Sequence, residues 1–200
     1  MKKIWIAAGA ILLASNFCMA QVKPDNKVGV LLAGGLGSLY PQQQDASFSN
    51  TYDPGFALNI ITYYRYYFTN SIAIEPGVGY LANGWKENFT VGTAGAQVSY
   101  EIKNSYLNIP VTVQYVFNKV TIGAGPEINY LFRTNSDRYT KDNFNEFNFG
   151  LTGSVDYKFS YFRFGLNYKL GLGQVYKAEN NVFEKNAQSQ SVMLSFRYEL

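Results

Sequence analysis

The stretch Tyr106–Phe132, YLNIPVTVQYVFNKVTIGAGPEINYLF, decides the fold. Every second residue from Leu107 is bulky and apolar, giving Leu107, Ile109, Val111, Val113, Tyr115 and Phe117. The residues between them, Tyr106, Asn108, Pro110, Thr112, Gln114 and Val116, are largely polar. After Asn118 and Lys119 the apolar set resumes on even positions, Val120, Ile122, Ala124, Pro126, Ile128, Tyr130 and Phe132. Side chains of a strand alternate between two faces, so a period of two on both sides of a two-residue hinge predicts a β-hairpin with one greasy face. Whether lipid or a protein core covers that face needs the rest of the chain.

The alternation recurs in eight segments, near 27–39, 55–68, 71–83, 105–117, 120–133, 144–159, 161–176 and 189–200. The first, KVGVLLAGGLGSL, is apolar on both parities and leaves its outward face open. Short turns are expected at 69–71, 118–119 and 159–160, and long polar links at 40–54, 84–104, 134–143 and 177–188. Antiparallel strands with short turns at one end and long loops at the other have the layout of an outer-membrane barrel, turns in the periplasm and loops outside.

A soluble barrel with the greasy face turned inward is the rival. An eight-stranded barrel has an interior just wide enough for side chains to fill, and about five large residues per strand do not fit there. The opposite face carries small or short groups such as Gly77, Gly79, Thr112, Thr121, Gly123, Gly125 and Gly165, which suit a narrow lumen. Tyr66 and Phe68, Tyr115 and Phe117, Tyr157 and Phe159, Phe162 and Phe164 cluster at the turn ends, as an interfacial girdle does. The greasy face therefore reads as lipid-facing, and closure removes the unpaired edges that hydrocarbon does not tolerate.

The N-terminus fits export. Lys2 and Lys3 precede the apolar run from Ile4 to Ala14, and Cys18 and Ala20 supply small residues before Gln21. This pattern predicts a signal peptide at 1–20, cleaved after Ala20, and a barrel domain at 21–200. Removing Lys2 and Lys3 leaves 15 basic side chains against 14 acidic ones, which points to no nucleic-acid partner. Cys18 is the only cysteine and histidine is absent. Disulfides, thiolate nucleophiles, histidine triads and histidine metal sites are thereby excluded from the mature chain, and no cofactor or metal is expected.

The inward parity carries Arg65, Glu75, Glu127, Asp156, Arg163, Lys169 and Arg197. Counting around the expected turns sets Arg65 opposite Glu75 and Asp156 opposite Arg163, as cross-strand charge pairing favours. Two roles compete for this network: an ion or proton path, and a structural filling of paired charges, which narrow barrels require. Asp137, Asp142 and Glu146 are acidic enough to attract calcium, but their spacing matches no known loop. Asn88-Phe89-Thr90 has the form of a glycosylation sequon. The aromatics Tyr40, Tyr52, Trp85 and Phe89 are placed either to meet a partner or to pack at the rim.

These segments, with YYFTNSIAIEPGVGY, YLNIPVTVQYVF, IGAGPEINYLF and FNFGLTGSVDYKF in that order, resemble the outer-membrane β-barrel domain family of Bacteroidetes, often labelled PorT-like. The resemblance covers 27–200, and its most specific pieces are YLNIPV and Gly125-Pro126. The final VMLSFRYEL looks like the C-terminal signal read by the barrel-assembly machinery, through Leu194, Phe196, Tyr198 and Leu200, although Leu200 stands where an aromatic is usual. No catalytic residues come with the resemblance. It implies an all-β, eight-stranded antiparallel up-and-down transmembrane β-barrel of OmpA/OmpX-like architecture in the outer membrane. Its expected partners are membrane lipid, the assembly machinery during insertion, and an envelope or secretion protein.

Overall fold

The computed structural model describes residues 24–41, 51–91, 96–177 and 187–200. The expected signal peptide and its cleavage site lie outside the described residues. Eight strands run through the described chain: β1 (Lys27–Pro41), β2 (Thr51–Tyr67), β3 (Ile72–Val91), β4 (Ala96–Phe117), β5 (Val120–Ser136), β6 (Phe147–Phe159), β7 (Phe162–Gly171) and β8 (Ala187–Glu199). Each pairs antiparallel with the next, and β1 pairs with β8 from Gly29↔Glu199 to Pro41↔Ala187, closing an up-and-down barrel.

The greasy parity faces outward. Val113, Phe117, Ile122, Phe149, Val155, Phe164 and Leu166 are all exposed, and Leu194 is 73% exposed. In water such a surface aggregates; in a bilayer it is the stabilising one. The ambiguous first strand resolves by its neighbours. Val28, Val30, Leu32 and Leu36 point out, while Leu31 and Ala33 join Ala57, Ile61, Tyr63 and Met193 in an apolar strip on the inner wall.

Beyond strands that reach further into the expected links, as β2 from Thr51 and β5 to Ser136 do, three differences from the sequence expectation shape the interior. The 84–104 link is largely strand, with Trp85↔Ile102 and Asn88↔Ser99 paired in a tall β3–β4 hairpin. Its alternation persists with inverted sense: Trp85 and Ile102 are buried inward, while Lys86, Glu101 and Lys103 are exposed. A search for apolar-outward strands stops where the hairpin leaves hydrocarbon, which explains the miss. At the other side β7 ends at Gly171, and Phe144 and Tyr176, expected within strands, instead form an isolated bridge over the mouth.

The third difference is the β6–β7 turn. It falls on Ser160 and Tyr161, not on Phe159 and Ser160, because Phe159 pairs with Phe162. Ser160 (φ 58°) and Asn118 (φ 54°) supply the left-handed backbone of their turns. The shift moves Asp156 opposite Gly165 and Arg163 opposite Lys158, so the expected Asp156–Arg163 pairing does not occur.

Candidate functional site

The barrel interior is the candidate site, and it is layered. Nearest the short turns, Arg65, Arg163 and Arg197 meet Glu75, Asp156 and Glu199. Arg65 donates through Nε to Glu75 Oε2 at 2.8 Å and reaches Glu199 Oε1 at 2.6 Å through Nη1. Arg163 Nη2 lies 3.1 Å from Glu199 Oε2, and its Nη1 donates to Thr121 Oγ1 at 2.6 Å. Arg197 ion-pairs with the free side of Glu75 and lies 3.3 Å from Asp156 Oδ2. Asp156 also accepts from Ser195 Oγ at 3.2 Å.

The ring of Tyr63 sits between two of these cations, 5.7 Å from the Arg65 guanidinium and 5.4 Å from that of Arg197. Guanidinium groups favour aromatic faces, so the ring adds to the carboxylates in holding the arginines in place. Gly165 makes room for Asp156: a Cβ there would fall 2.5 Å from Asp156 Oδ1.

Higher in the lumen a second, separate layer joins Lys169 to Glu127 in an ion pair. Asn108 and Asn129 complete it. Lys169 donates to Asn108 Oδ1 at 3.2 Å, Asn108 donates to Glu127 Oε2 at 3.2 Å and to Asn129 Oδ1 at 2.6 Å, and Asn129 donates to Glu127 Oε1 at 3.0 Å. Buried charges persist only where partners replace water; every charge of the two layers has an ion-pair partner, while Arg163 Nε is buried without an acceptor. Between the layers lies a cavity of about 20 Å³ against Thr152, Ser154, Lys169 and Arg197. Another of about 10 Å³ lies against Glu127 and Asn148. Each has the volume of about one water.

At the loop end the interior turns apolar. Trp85, Ile102 and Tyr106 on the tall hairpin and Leu131 on β5 pack with Tyr139, Phe144, Val175 and Tyr176 from the two loops folded across the mouth. Phe144 stands 6.3 Å from Trp85, 5.8 Å from Tyr139 and 5.0 Å from Tyr176, ring to ring. Tyr139 also donates its hydroxyl to Glu87 at 3.1 Å.

The sequence-derived residues thus separate into groups. Arg65, Glu75, Asp156, Arg163 and Arg197 come together, while Glu127 and Lys169 form their own pair. Glu199 was missed, although its parity follows from Arg197 two residues earlier. The aromatic lid was missed because it depends on loops folding back, which periodicity does not encode. Of the rim aromatics, Trp85 is buried in the lid, Tyr52 packs against it and Tyr40 is exposed; the side chain of Phe89 is not among those described. Glu146 pairs with Lys141 at 3.6 Å, and among the described residues no three His, Cys, Asp or Glu side chains gather as a metal site. Asn88 of the sequon donates to Asp53 at 2.8 Å. On the outside, Leu194, Phe196, Tyr198 and Leu200 form one face of β8 and its end, with Phe196 stacked 5.3 Å from Phe162.

Comparison with solved structures returns barrels of the same kind. The crystal structure of Neisserial surface protein A matches with a TM-score of 0.55 at 13% sequence identity, over 88% of this chain and 100% of that one. That likeness is one of fold. The outer membrane protein OprG from Pseudomonas aeruginosa matches with a TM-score of 0.48 at 14% identity, over 90% of this chain and 99% of that one. No curated protein sequence matches the chain. The family model described as "Outer membrane protein beta-barrel domain" matches residues 19–177, which takes in β1 to β7. The chain therefore belongs to that family, as an outer-membrane β-barrel protein of the small eight-stranded type.

Proposed function

We propose that this barrel is closed to solutes and acts as a non-enzymatic structural or surface-interaction protein of the outer membrane. The observation that carries this reading is the neutrality of the interior layers: three arginines against three carboxylates, and one lysine against one glutamate. A permeation path needs sites that an ion enters and leaves, whereas these charges are already satisfied by one another. The small residual cavities and the aromatic lid support the same reading. So does the absence of histidine, the commonest general acid or base near neutral pH.

Planar-bilayer recording tests it. The refolded protein is expected to insert without steps of conductance; reproducible single-channel steps would replace this reading with that of a narrow pore. Under the same proposal, residues 1–20 are removed after Ala20, and Leu194, Phe196, Tyr198 and Leu200 are the side chains the assembly machinery reads.

A second reading, an accessory subunit of a secretion or envelope-assembly complex, is suggested by the resemblance of YLNIPV and Gly125-Pro126 to the PorT-like family, a resemblance that by itself carries fold and compartment rather than that role. A mild-detergent pull-down from the native outer membrane separates the two. A stoichiometric envelope protein supports the subunit reading, and recovery of the barrel alone supports the free-standing one.

A further inference from the structure

At the turn end the barrel opens into a hollow of about 430 Å³, lined by Lys27, Lys119, Lys158, Ser160, Tyr161 and Glu199. Its charge balance differs from that of the interior. Both oxygens of Glu199 are engaged, one by Arg65 and one by Arg163. The three lysines form no ion pair among the described residues, so the hollow is a cationic cup over a neutral floor.

The backbone enforces the crowding. Lys158 N donates to Lys119 O at 2.7 Å, which holds these two residues side by side. Lys158 also lies directly opposite Arg163. Arg163 is buried and paired with Glu199, so the charge left to attract an anion into the hollow is that of the lysines. Lysine ammonium groups are compact point charges on flexible stems, suited to phosphate oxygens.

The position names the source of the phosphate. Phe117, Phe159 and Tyr161 stand exposed around the same end of the barrel, and aromatic belts sit at the level of lipid headgroups. Tyr161 belongs to both the belt and the lining. A hollow of this size is in the range of about 300–1,000 Å³ that holds small ligands. We propose that the cup binds the phosphate-bearing headgroup of an anionic phospholipid from the adjoining leaflet. Lys27, Lys119 and Lys158 meet the phosphate, Ser160 and Tyr161 offer hydroxyl donors, and the acyl chains stay outside against Phe117 and Phe159. This inference rests on the barrel's place in a membrane and is independent of whether the lumen conducts.

Native mass spectrometry of the full detergent-solubilised protein, titrated with dioleoylphosphatidylglycerol, tests the assignment. The probe is compared with dioleoylphosphatidylcholine, which has the same phosphate but no net charge. Removing the three cations as Lys27→Gln, Lys119→Gln and Lys158→Gln is expected to lower phosphatidylglycerol retention about tenfold or more. Lys86→Gln, Lys103→Gln and Lys177→Gln remove equal charge at the loop end and are expected to retain lipid as the wild type does. Faster migration on unheated gels than after boiling verifies that both variants are folded. Equal retention by the vestibule variant, or no preference for phosphatidylglycerol, overturns the proposal. Complete displacement by millimolar inorganic phosphate, but not by chloride of equal ionic strength, would assign the cup to free phosphate and overturn the lipid assignment.

Discussion

Arg65 on β2 and Glu199 on β8 meet at 2.6 Å across β1, the strand that separates them. Gly29 of β1 is the cross-strand partner of both Tyr63 and Glu199, and it has no side chain to stand between them. A Cβ at Gly29 would lie 2.5 Å from the Tyr63 ring and 2.7 Å from the Tyr198 carbonyl oxygen. The ion pair therefore spans the closing seam and ties the first hairpin to the last strand.

Glu199, like Glu75, bridges two arginines, and Arg65 and Arg163 both depend on it. Glu199→Ala leaves two buried guanidinium groups short of counter-charge, a cost of about 3–5 kcal/mol for a broken buried pair. The expected readout is a lower temperature for loss of the fast-migrating form on unheated gels. Wild-type thermal stability in Glu199→Ala would show that the seam does not rely on this pair.

The Glu127–Lys169 layer offers a test of pairing itself. Lys169→Met strands a buried carboxylate and is expected to destabilise by about 3–5 kcal/mol. Adding Glu127→Gln removes the stranded charge, and the double variant is expected to recover most of the loss. Additive destabilisation in the double-mutant cycle would mean the two residues act independently.

Leu194 near the middle of β8 probes the outer surface. Leu194→Arg places a charge on the lipid face, which costs about 2–4 kcal/mol at the midplane of a barrel. Refolding yield into lipid vesicles is expected to fall sharply. Unchanged folding would argue that this face does not meet hydrocarbon.

The lid makes its own prediction. Phe144 contacts rings from β3 and from both loops, and Phe→Ala changes in packed clusters cost about 3–5 kcal/mol. Phe144→Ala is expected to speed proteolysis within 137–146 while leaving the gel shift of the barrel intact. Unchanged cleavage would show that the lid is held by backbone bonds such as Asn145 N to Val175 O.

Much of this was legible in the chain because parity is a local property. The faces of β4 and β5, and the meeting of Arg65 with Glu75, follow from counting by twos. Register across a turn is less forgiving: placing the β6–β7 turn one residue early moved Arg163 from Lys158 to Asp156. The tall hairpin was hidden by the inversion at Trp85 and Ile102, where the apolar side turns inward once the strands leave lipid. Glu199 was hidden by its position at the end of the last strand. The lid joins residues far apart in sequence, such as Trp85, Phe144 and Tyr176, and no repeat marks them.

In the closed barrel we propose, the interior between the two charge layers is sealed from both sides. Ser154 is buried there, lines the cavity of about 20 Å³, and accepts from Arg197 Nη2 at 3.5 Å. Cys18 is the sequence's only cysteine, so Ser154→Cys combined with Cys18→Ser supplies a single reporter thiol. The measurement is its labelling rate by a charged, membrane-impermeant maleimide in vesicles, against Ser160→Cys in the open vestibule. Protection of Ser154→Cys until the barrel is unfolded, with rapid labelling of Ser160→Cys, is the expected result. Comparable labelling of both in the folded protein would contradict a sealed interior.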